Sequence, residues 1–147
     1  MDTEKYSDGP CPIARALCRI GDAWSMMILR DAGSGATRFD QFQKNLGIAP
    51  NILTRRLVAL TESGLLERRR YSDHPPRDDY VLTAAGWDFL PVLYALGAWG
   101  GRNFGDDNFS RLVDAESGRE VEIIVVDRAT GNPITARDQR VESPDAP

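Results

Sequence analysis

Apolar residues recur every three or four positions along much of the first hundred residues, which is the spacing of amphipathic α-helices. Four such segments follow one another, and proline near the start or glycine near the end marks most of them. Helices are predicted from Pro12 to just before Gly21, from about Asp22 to just before Gly33, around Phe39–Leu46, and from Pro50 to Ser63. The side chains expected to face inward are Ile13, Ala16, Leu17 and Ile20, then Trp24, Met27 and Ile28, then Phe39, Phe42 and Leu46, and finally Leu53, Leu57 and Leu60.

After Gly64, which is expected to end the fourth helix, the period changes to two, the spacing of β-strands. Two strands are predicted at residues 65–72 and 77–83, joined by the segment DHPP, whose paired prolines cannot continue a ladder. Thr83 is expected to cap a last helix from Ala84 to about Gly101. Two short helices joined by a glycine-containing turn and followed by a hairpin form a winged helix-turn-helix.

The last forty residues contain a repeat, because residues 113–121 and 126–134 share the pattern V-D-x-x-[S/T]-G-x-x-[V/I]. Aspartate at the start of a turn and glycine at its left-handed end suit short hairpin loops. A three-stranded meander is therefore predicted at about Phe109–Asp114, Arg119–Asp127 and Pro133–Arg137, with VEIIVVD as a central strand covered on both faces. The closing ESPDAP is expected to be disordered.

The predicted fold is thus α+β. Residues 1–105 are expected to form a winged helix-turn-helix domain with a long C-terminal helix, and residues 106–147 an acidic β-meander extension with a disordered tail. The extension is either an effector or dimer-stabilising module or a structural cover, and the structural cover is favoured.

Charge is distributed unevenly over the 147 residues, whose net charge is −4. Residues 1–105 carry 13 basic and 12 acidic groups, whereas residues 106–147 carry 5 basic and 10 acidic groups. Between Arg38 and Arg77 there are 8 basic and 4 acidic side chains, so the acidic extension conceals a local charge of +4. Such a local excess of positive charge favours a polyanionic partner.

The fourth helix carries part of this charge on its outer face. Since three leucines point inward, Asn51, Thr54, Arg55 and Val58 should lie on the opposite side. This face suits the major groove of DNA, where arginine can bond guanine and asparagine can bond adenine. A solvated helix face is the alternative, which the following hairpin and the local charge make less favourable. The predicted base contacts are Asn51, Thr54 and Arg55, and the predicted backbone or minor-groove contacts are Arg38, Arg56, Arg68, Arg70, His74 and Arg77.

The last predicted helix contains the segment WDFLPVLYALGAWG, in which Asp88 is the one charged residue among fourteen. A helix that is apolar nearly all round must be covered on more than one side. A domain of about 100 residues cannot wrap it fully, so a second copy of the chain is expected to cover it; an internal core helix is the alternative. Pairing would place two recognition helices about 34 Å apart on the duplex.

The region from Cys11 to Gly100 resembles the HxlR-type transcriptional regulators. The resemblance rests on the opening CP and on WSMMILRD, RFDQF, IAPNILTRRL, LTESGL, YSDHPPRDDYVLT and GWDFLPVLYALGAW. It implies a cytoplasmic winged-helix transcription factor that pairs as a homodimer through its first and last helices and binds a palindromic operator. Ala49 departs from the family, which often has serine there, and should weaken the start of the fourth helix by about 1 kcal/mol.

Cys11 lies at the predicted N-terminus of the first helix, where the reactive thiolate is favoured. Proteins of the resembled family include redox and electrophile sensors with a cysteine in this CP position, so sensing at Cys11 is one hypothesis and a thiol without this role is the other. Cys18 would lie about 10 Å further along the helix, beyond disulfide reach. It is predicted to be a small buried apolar residue.

Other functions have weaker support in the sequence. His74 is the sole histidine, so a zinc site would lack ligands, and the chain has no glycine-rich phosphate loop. No enzyme activity, metal or cofactor is therefore expected. Neither a membrane-spanning segment nor a secretory signal is evident. Two alternatives remain: a small-molecule sensor with Trp24, Trp87 and Trp99 lining a pocket at the dimer seam, and an interaction adaptor that uses the fold without DNA.

Overall fold

The structure is a computed structural model that describes residues 7–105, 109–135, 137 and 139–142. The elements in these ranges are α1 (Pro12–Ile20), α2 (Ala23–Gly33), α3 (Phe39–Leu46), α4 (Pro50–Glu62), β1 (Leu66–Asp73), β2 (Pro76–Leu82) and α5 (Ala84–Phe104). Their order confirms the predicted α+β winged helix-turn-helix. The chain divides into two compact units, Met1–Leu90 and Pro91–Pro147, so α5 belongs to both. The division predicted between residues 105 and 106 stays a prediction.

Side chains and glycines fix the helix ends near the predicted positions. The Asp22 carboxylate accepts a hydrogen bond from the Ser25 N–H at 3.1 Å and caps α2. Gly47 and Gly64 follow α3 and α4 with φ angles of 61° and 76°, which L side chains rarely adopt. Ala49 precedes α4 and supplies no capping side chain, as the sequence predicted.

The core of the first unit is built from α2, α3, α4 and the start of β1. The largest fully buried side chains are Ile28, Leu29, Phe42, Leu53, Leu57, Leu60, Leu66 and Ser25. The predicted inward faces of α3 and α4 are confirmed by Phe42 and the three leucines of α4. Burial of these apolar surfaces orients the other side of α4 toward solvent.

The predicted inward faces of α1 and α2 are partly wrong. In α2, Trp24 and Met27 are 40% and 37% exposed, while Ser25 and Asp31 are buried. The segment AWSMMIL has apolar residues on both sides, so the period alone does not define which side packs. In α1, Ile13 and Leu17 are 66% and 39% exposed, whereas Ile20 is buried as predicted.

The wing is an antiparallel hairpin in which Leu66 pairs with Leu82 and a bulge interrupts the register between Arg70 and Ser72. Its base is extended by the segment before α3, because the Tyr80 N–H donates to the Thr37 carbonyl at 2.7 Å. The predicted strands are therefore confirmed.

The first turn of α5 is fixed to the base of the wing. The Thr83 hydroxyl accepts from the Gly86 N–H at 3.1 Å, which confirms the predicted cap, and donates to the Gly64 carbonyl at 2.6 Å. A Cβ on Gly86 would collide with the Leu65 carbonyl oxygen, so α5 lies directly on the backbone at the start of β1. The helix continues through Pro91 and ends three residues later than predicted.

The extension forms both predicted turns. Asp114 accepts from the Ser117 N–H and hydroxyl at 2.8 and 2.7 Å, and these bonds hold the pKa of its carboxyl below the ordinary value. Asp127 likewise accepts from the Ala129 N–H at 3.0 Å and the Thr130 hydroxyl at 2.8 Å. The two predicted loops are therefore confirmed.

The three predicted strands of the extension are not formed as continuous strands in the described residues. Pairing there is limited to isolated bridges, Val113 with Glu120 and Val126 with Pro133. Ile124 is 64% exposed in the single chain, so the central segment is not covered on both faces there, and its expected cover by a second copy stays a prediction. A hairpin whose apolar face is not covered gains too little burial to extend its ladder. Residues 143–147 of the predicted disordered tail lie outside the described residues.

None of the described helices has both the length and the apolar character that a membrane crossing requires.

Candidate nucleic-acid interface

The helix-turn-helix presents one polar face of α4 to solvent. Asn51, Thr54 and Arg55 are exposed on this face, as predicted, because Leu53 and Leu57 are fully buried beneath them. The Thr54 hydroxyl donates to the Pro50 carbonyl at 2.9 Å, so its methyl group is the part left for an apolar contact. Arg55 makes no ion pair among the described residues and keeps its guanidinium available.

Arg56 is placed differently from its neighbour. Its guanidinium forms an ion pair with the Asp22 carboxylate at the start of α2, and its Nε is buried without a hydrogen-bond partner among the described residues. The side chain is 31% exposed. Arg56 therefore ties α4 to α2, and its predicted contact with DNA stays a prediction.

One face of the wing holds two predicted arginines around a shared carboxylate. Arg68 Nη2 lies 2.6 Å from Asp78 Oδ2, and Arg70 Nε donates to Asp78 Oδ1 at 2.6 Å. The hydrogen bonds from Arg68 and then Arg70 hold the pKa of the Asp78 carboxyl below its ordinary value. Asp78 orients both guanidiniums and offsets half of their charge.

Arg38 lies at the other face of the hairpin. Its guanidinium carbon is 4.8 Å from the centre of the Tyr71 ring, and its Nε is 3.7 Å from Asp79 Oδ1. Asp79 pairs across the hairpin with Arg69, and successive strand residues alternate between faces. Arg38 is therefore not brought together with Arg68 and Arg70.

The tip of the wing is exposed. His74 and Arg77 both face solvent, and a cis peptide bond joins His74 to Pro75. Arg77 makes no ion pair with any described residue, in contrast to the arginines nearer the base. The roles of Asp78 and Asp79 were not predicted, although cross-strand pairing of opposite charges could have indicated them.

The predicted sensor and pocket residues occupy separate places. Cys11 is exposed directly before α1, and Cys18 is half-buried, less than predicted. Trp87 borders a groove of about 370 Å³ whose lining does not include Trp24. Trp99 packs edge-to-face on the Phe104 ring. Trp24, Trp87 and Trp99 are 40%, 55% and 50% exposed, respectively. A shared tryptophan pocket stays a prediction.

The described residues contain no group of three or more histidine, cysteine, aspartate or glutamate side chains that could hold a metal ion.

Comparison with protein families gives a match to the HxlR-like helix-turn-helix model over residues 19–108. An uncharacterized HTH-type transcriptional regulator of Mycobacterium tuberculosis is 43% identical over 88 residues, which cover 60% of this chain and 56% of the relative. The matched part of the chain thus spans little more than half the length of that relative. A second such regulator, from Methanothermobacter thermautotrophicus, is 36% identical over 91 residues, with coverage of 61% and 70%.

Solved structures show the same fold. The crystal structure of PA1607, a candidate transcription factor, has a TM-score of 0.84 at 40% identity and covers 94% of this chain and 98% of its own. The redox regulator HypR in its reduced form has a TM-score of 0.59 at 28% identity and covers 64% of this chain and 96% of its own. The similarity to PA1607 therefore extends well into the segment that follows α5.

Proposed function

Because the chain belongs to the HxlR-like helix-turn-helix family, we propose that it is a cytoplasmic DNA-binding transcriptional regulator that acts as a homodimer on a palindromic operator. One observation carries the proposal: α4 presents Asn51 and Arg55 outward, beside a hairpin whose tip exposes Arg77, and Arg55 has no ion pair among the described residues. A guanidinium without an internal partner can bond a base edge without first breaking an ion pair.

The proposed division of roles follows from the charge pairing. Asn51, Thr54 and Arg55 read base edges in the major groove, while the wing contacts phosphates or the adjacent minor groove. Arg68 and Arg70 are oriented by Asp78 and face the duplex together. His74 and Arg77 extend furthest along the hairpin and complete the contact.

Exposed apolar side chains support the proposed homodimer. Val92, Leu96 and Trp99 follow one another at helical spacing in the second half of α5 and are 56%, 47% and 50% exposed. Ile13 and Leu17 form a similar exposed pair in α1. Contiguous apolar surface of this kind is typical of protein interfaces, and a second copy of the chain would bury both sets.

Footprinting on the DNA upstream of the protein's own gene, repeated at several salt concentrations, tests the proposal. We expect a protected palindrome whose half-site centres lie about 10 base pairs, or a multiple of one helical turn, apart. Equal and weak affinity for every duplex at low and moderate salt would contradict the proposal.

Arg77→Gln should weaken binding to all duplexes similarly and reduce the slope of log affinity against log salt by about 1, because one phosphate contact is lost. Fluorescence anisotropy with operator and unrelated duplexes at four salt concentrations measures this slope. Arg102→Gln, a change of the same charge in the last turn of α5, is the control. An unchanged slope for Arg77→Gln would exclude the wing tip from phosphate contact.

We also propose that Cys11 is oxidation-sensitive. HypR is a redox regulator, and Cys11 is exposed immediately before α1, whose Ile13 is part of the proposed dimer surface. Diamide takes two electrons and two protons from a pair of thiols as they form a disulfide, and the proposed pair is Cys11 with Cys11 of a second copy. Treatment should lower operator affinity of the native protein and of Cys18→Ser, but not of Cys11→Ser. If Cys11→Ser responds as the native protein does, Cys11 is not the sensor.

A further inference from the structure

A groove of about 490 Å³ separates α4 from α1 and the start of α2, and three arginines line it. We propose that this groove binds a small phosphate monoester. Arg15 and Arg19 approach from α1, and Arg56 from α4. The volume falls within the range of about 300–1,000 Å³ usual for small-molecule sites.

The positive charge of the groove is only partly compensated. Arg15 donates from Nε to the Gly9 carbonyl at 2.6 Å and from Nη2 to the Asp8 carbonyl at 2.9 Å, and these neutral acceptors leave its charge intact. Arg19 makes no ion pair with any described residue. Arg56 is paired with Asp22, and its buried Nε has no described partner.

A buried hydroxyl contributes a second polar element. Ser25 is only 1% exposed, yet it lines the groove. Gly21 lies over it with a φ of 91°, and a Cβ at that position would reach 3.5 Å from the Ser25 Oγ. The hydroxyl therefore lies at the floor of the groove, close to Arg56.

The charge balance favours an anion. Glu62 lines the groove and Asp22 pairs with Arg56, so among the described residues three guanidiniums face two carboxylates and a net charge of +1 remains. A phosphate monoester carries a charge of about −1.5 to −2 at pH 7 and offers three acceptor oxygens. Its phosphate can accept from Arg19, Arg56 and Ser25, while its organic group occupies the rest of the groove.

Occupancy of the groove would act on α4 directly. Arg56 and Ala59 line the groove from the same helix that presents Arg55 to DNA. A phosphate that competes with Asp22 for Arg56 would change how α4 is held against α2, and such coupling is reciprocal between the two ligands. This regulatory consequence rests on the proposed function, whereas the binding site itself does not.

Isothermal titration calorimetry on the full-length reduced protein tests the site, with phenyl phosphate as probe and phenol as the uncharged control at constant ionic strength. We expect saturable binding of phenyl phosphate alone. Arg19→Gln should weaken it about tenfold or more, since a charge-assisted hydrogen bond is lost. Glu62→Gln should tighten it several-fold by removing the opposing charge, and Arg128→Gln in the extension should leave it unchanged.

Absence of saturable binding, or equal affinity in Arg19→Gln and Arg128→Gln, would overturn the proposal. The opposite sign expected for Glu62→Gln separates a specific effect from loss of folding. Operator titrations without phenyl phosphate address the proposed function independently. Binding of phenyl phosphate without binding of any duplex would support this site and contradict the proposed function. Binding of the operator without binding of phenyl phosphate would support the proposed function and contradict this site.

Discussion

Leu96→Asp should convert the protein to a monomer and reduce its affinity for a palindromic operator by about 100-fold or more. Leu96 is 47% exposed in α5, between Val92 and Trp99 on the surface proposed to pair with a second copy. A carboxylate buried there would lack a partner, and its desolvation opposes association. A dimer that binds both half-sites at once has an affinity about 10² to 10⁴ times that of binding to one half-site, and a monomer loses this gain.

Sedimentation equilibrium and operator anisotropy on the same sample measure the two effects together. Val141→Asp is the matched control, since it introduces the same charge at a residue of the extension that is 91% exposed. The control should remain dimeric with native affinity. If Leu96→Asp stays dimeric and binds normally, α5 does not form the proposed interface.

Arg55→Ala should weaken operator binding by about 1–3 kcal/mol and reduce discrimination at one base pair of each half-site. The reason is that a bidentate bond from a guanidinium to guanine carries both affinity and sequence information. Arg55 is exposed on α4 and has no internal ion pair among the described residues, so its removal should cost little stability.

Competition against a set of operators with single base changes measures this discrimination. Arg128→Ala removes an exposed arginine of the extension and should change neither quantity. A uniform loss across all duplexes would assign Arg55 to the phosphate backbone. If the Arg55→Ala variant binds the operator with native affinity, the proposal that α4 contacts the bases is contradicted.

The helix ends were predictable because the interactions that fix them are local. Asp22 caps α2 three residues from its partner Ser25, and Gly47 and Gly64 end α3 and α4 in left-handed conformations. The turns of the extension were predictable for the same reason. Its strands were not, since the length of a ladder depends on what covers it, and that is decided outside the segment.

The inward face of α2 was not predictable from its period. Trp24, Met27 and Ile28 form one acceptable apolar stripe, yet of these only Ile28 is buried, and the helix buries Ser25 and Leu29 beside it. When apolar residues surround a helix, the choice of face is made by the neighbouring elements rather than by the sequence of the helix. Trp24 and Met27 remain as exposed apolar surface.

The candidate interface was predictable on α4 and only partly on the wing. Three leucines at helical spacing define the outward positions of Asn51 and Arg55. The wing arginines are divided between two faces, and Asp78 holds Arg68 on one of them. This arrangement depends on the cross-strand register and on a bulge. Neither is encoded by residue spacing alone.

Thr83 bonds to both Gly64 and Gly86, and Gly86 lies on the Leu65 carbonyl without space for a side chain. The first turn of α5 is thereby fixed to Gly64, just after α4, and to the backbone that leads into β1. Any side chain at position 86 would push this turn away from Leu65 and break the hydrogen bonds that Thr83 makes on both sides. The closeness of this approach therefore depends on the hydrogen atom that glycine has in place of a side chain.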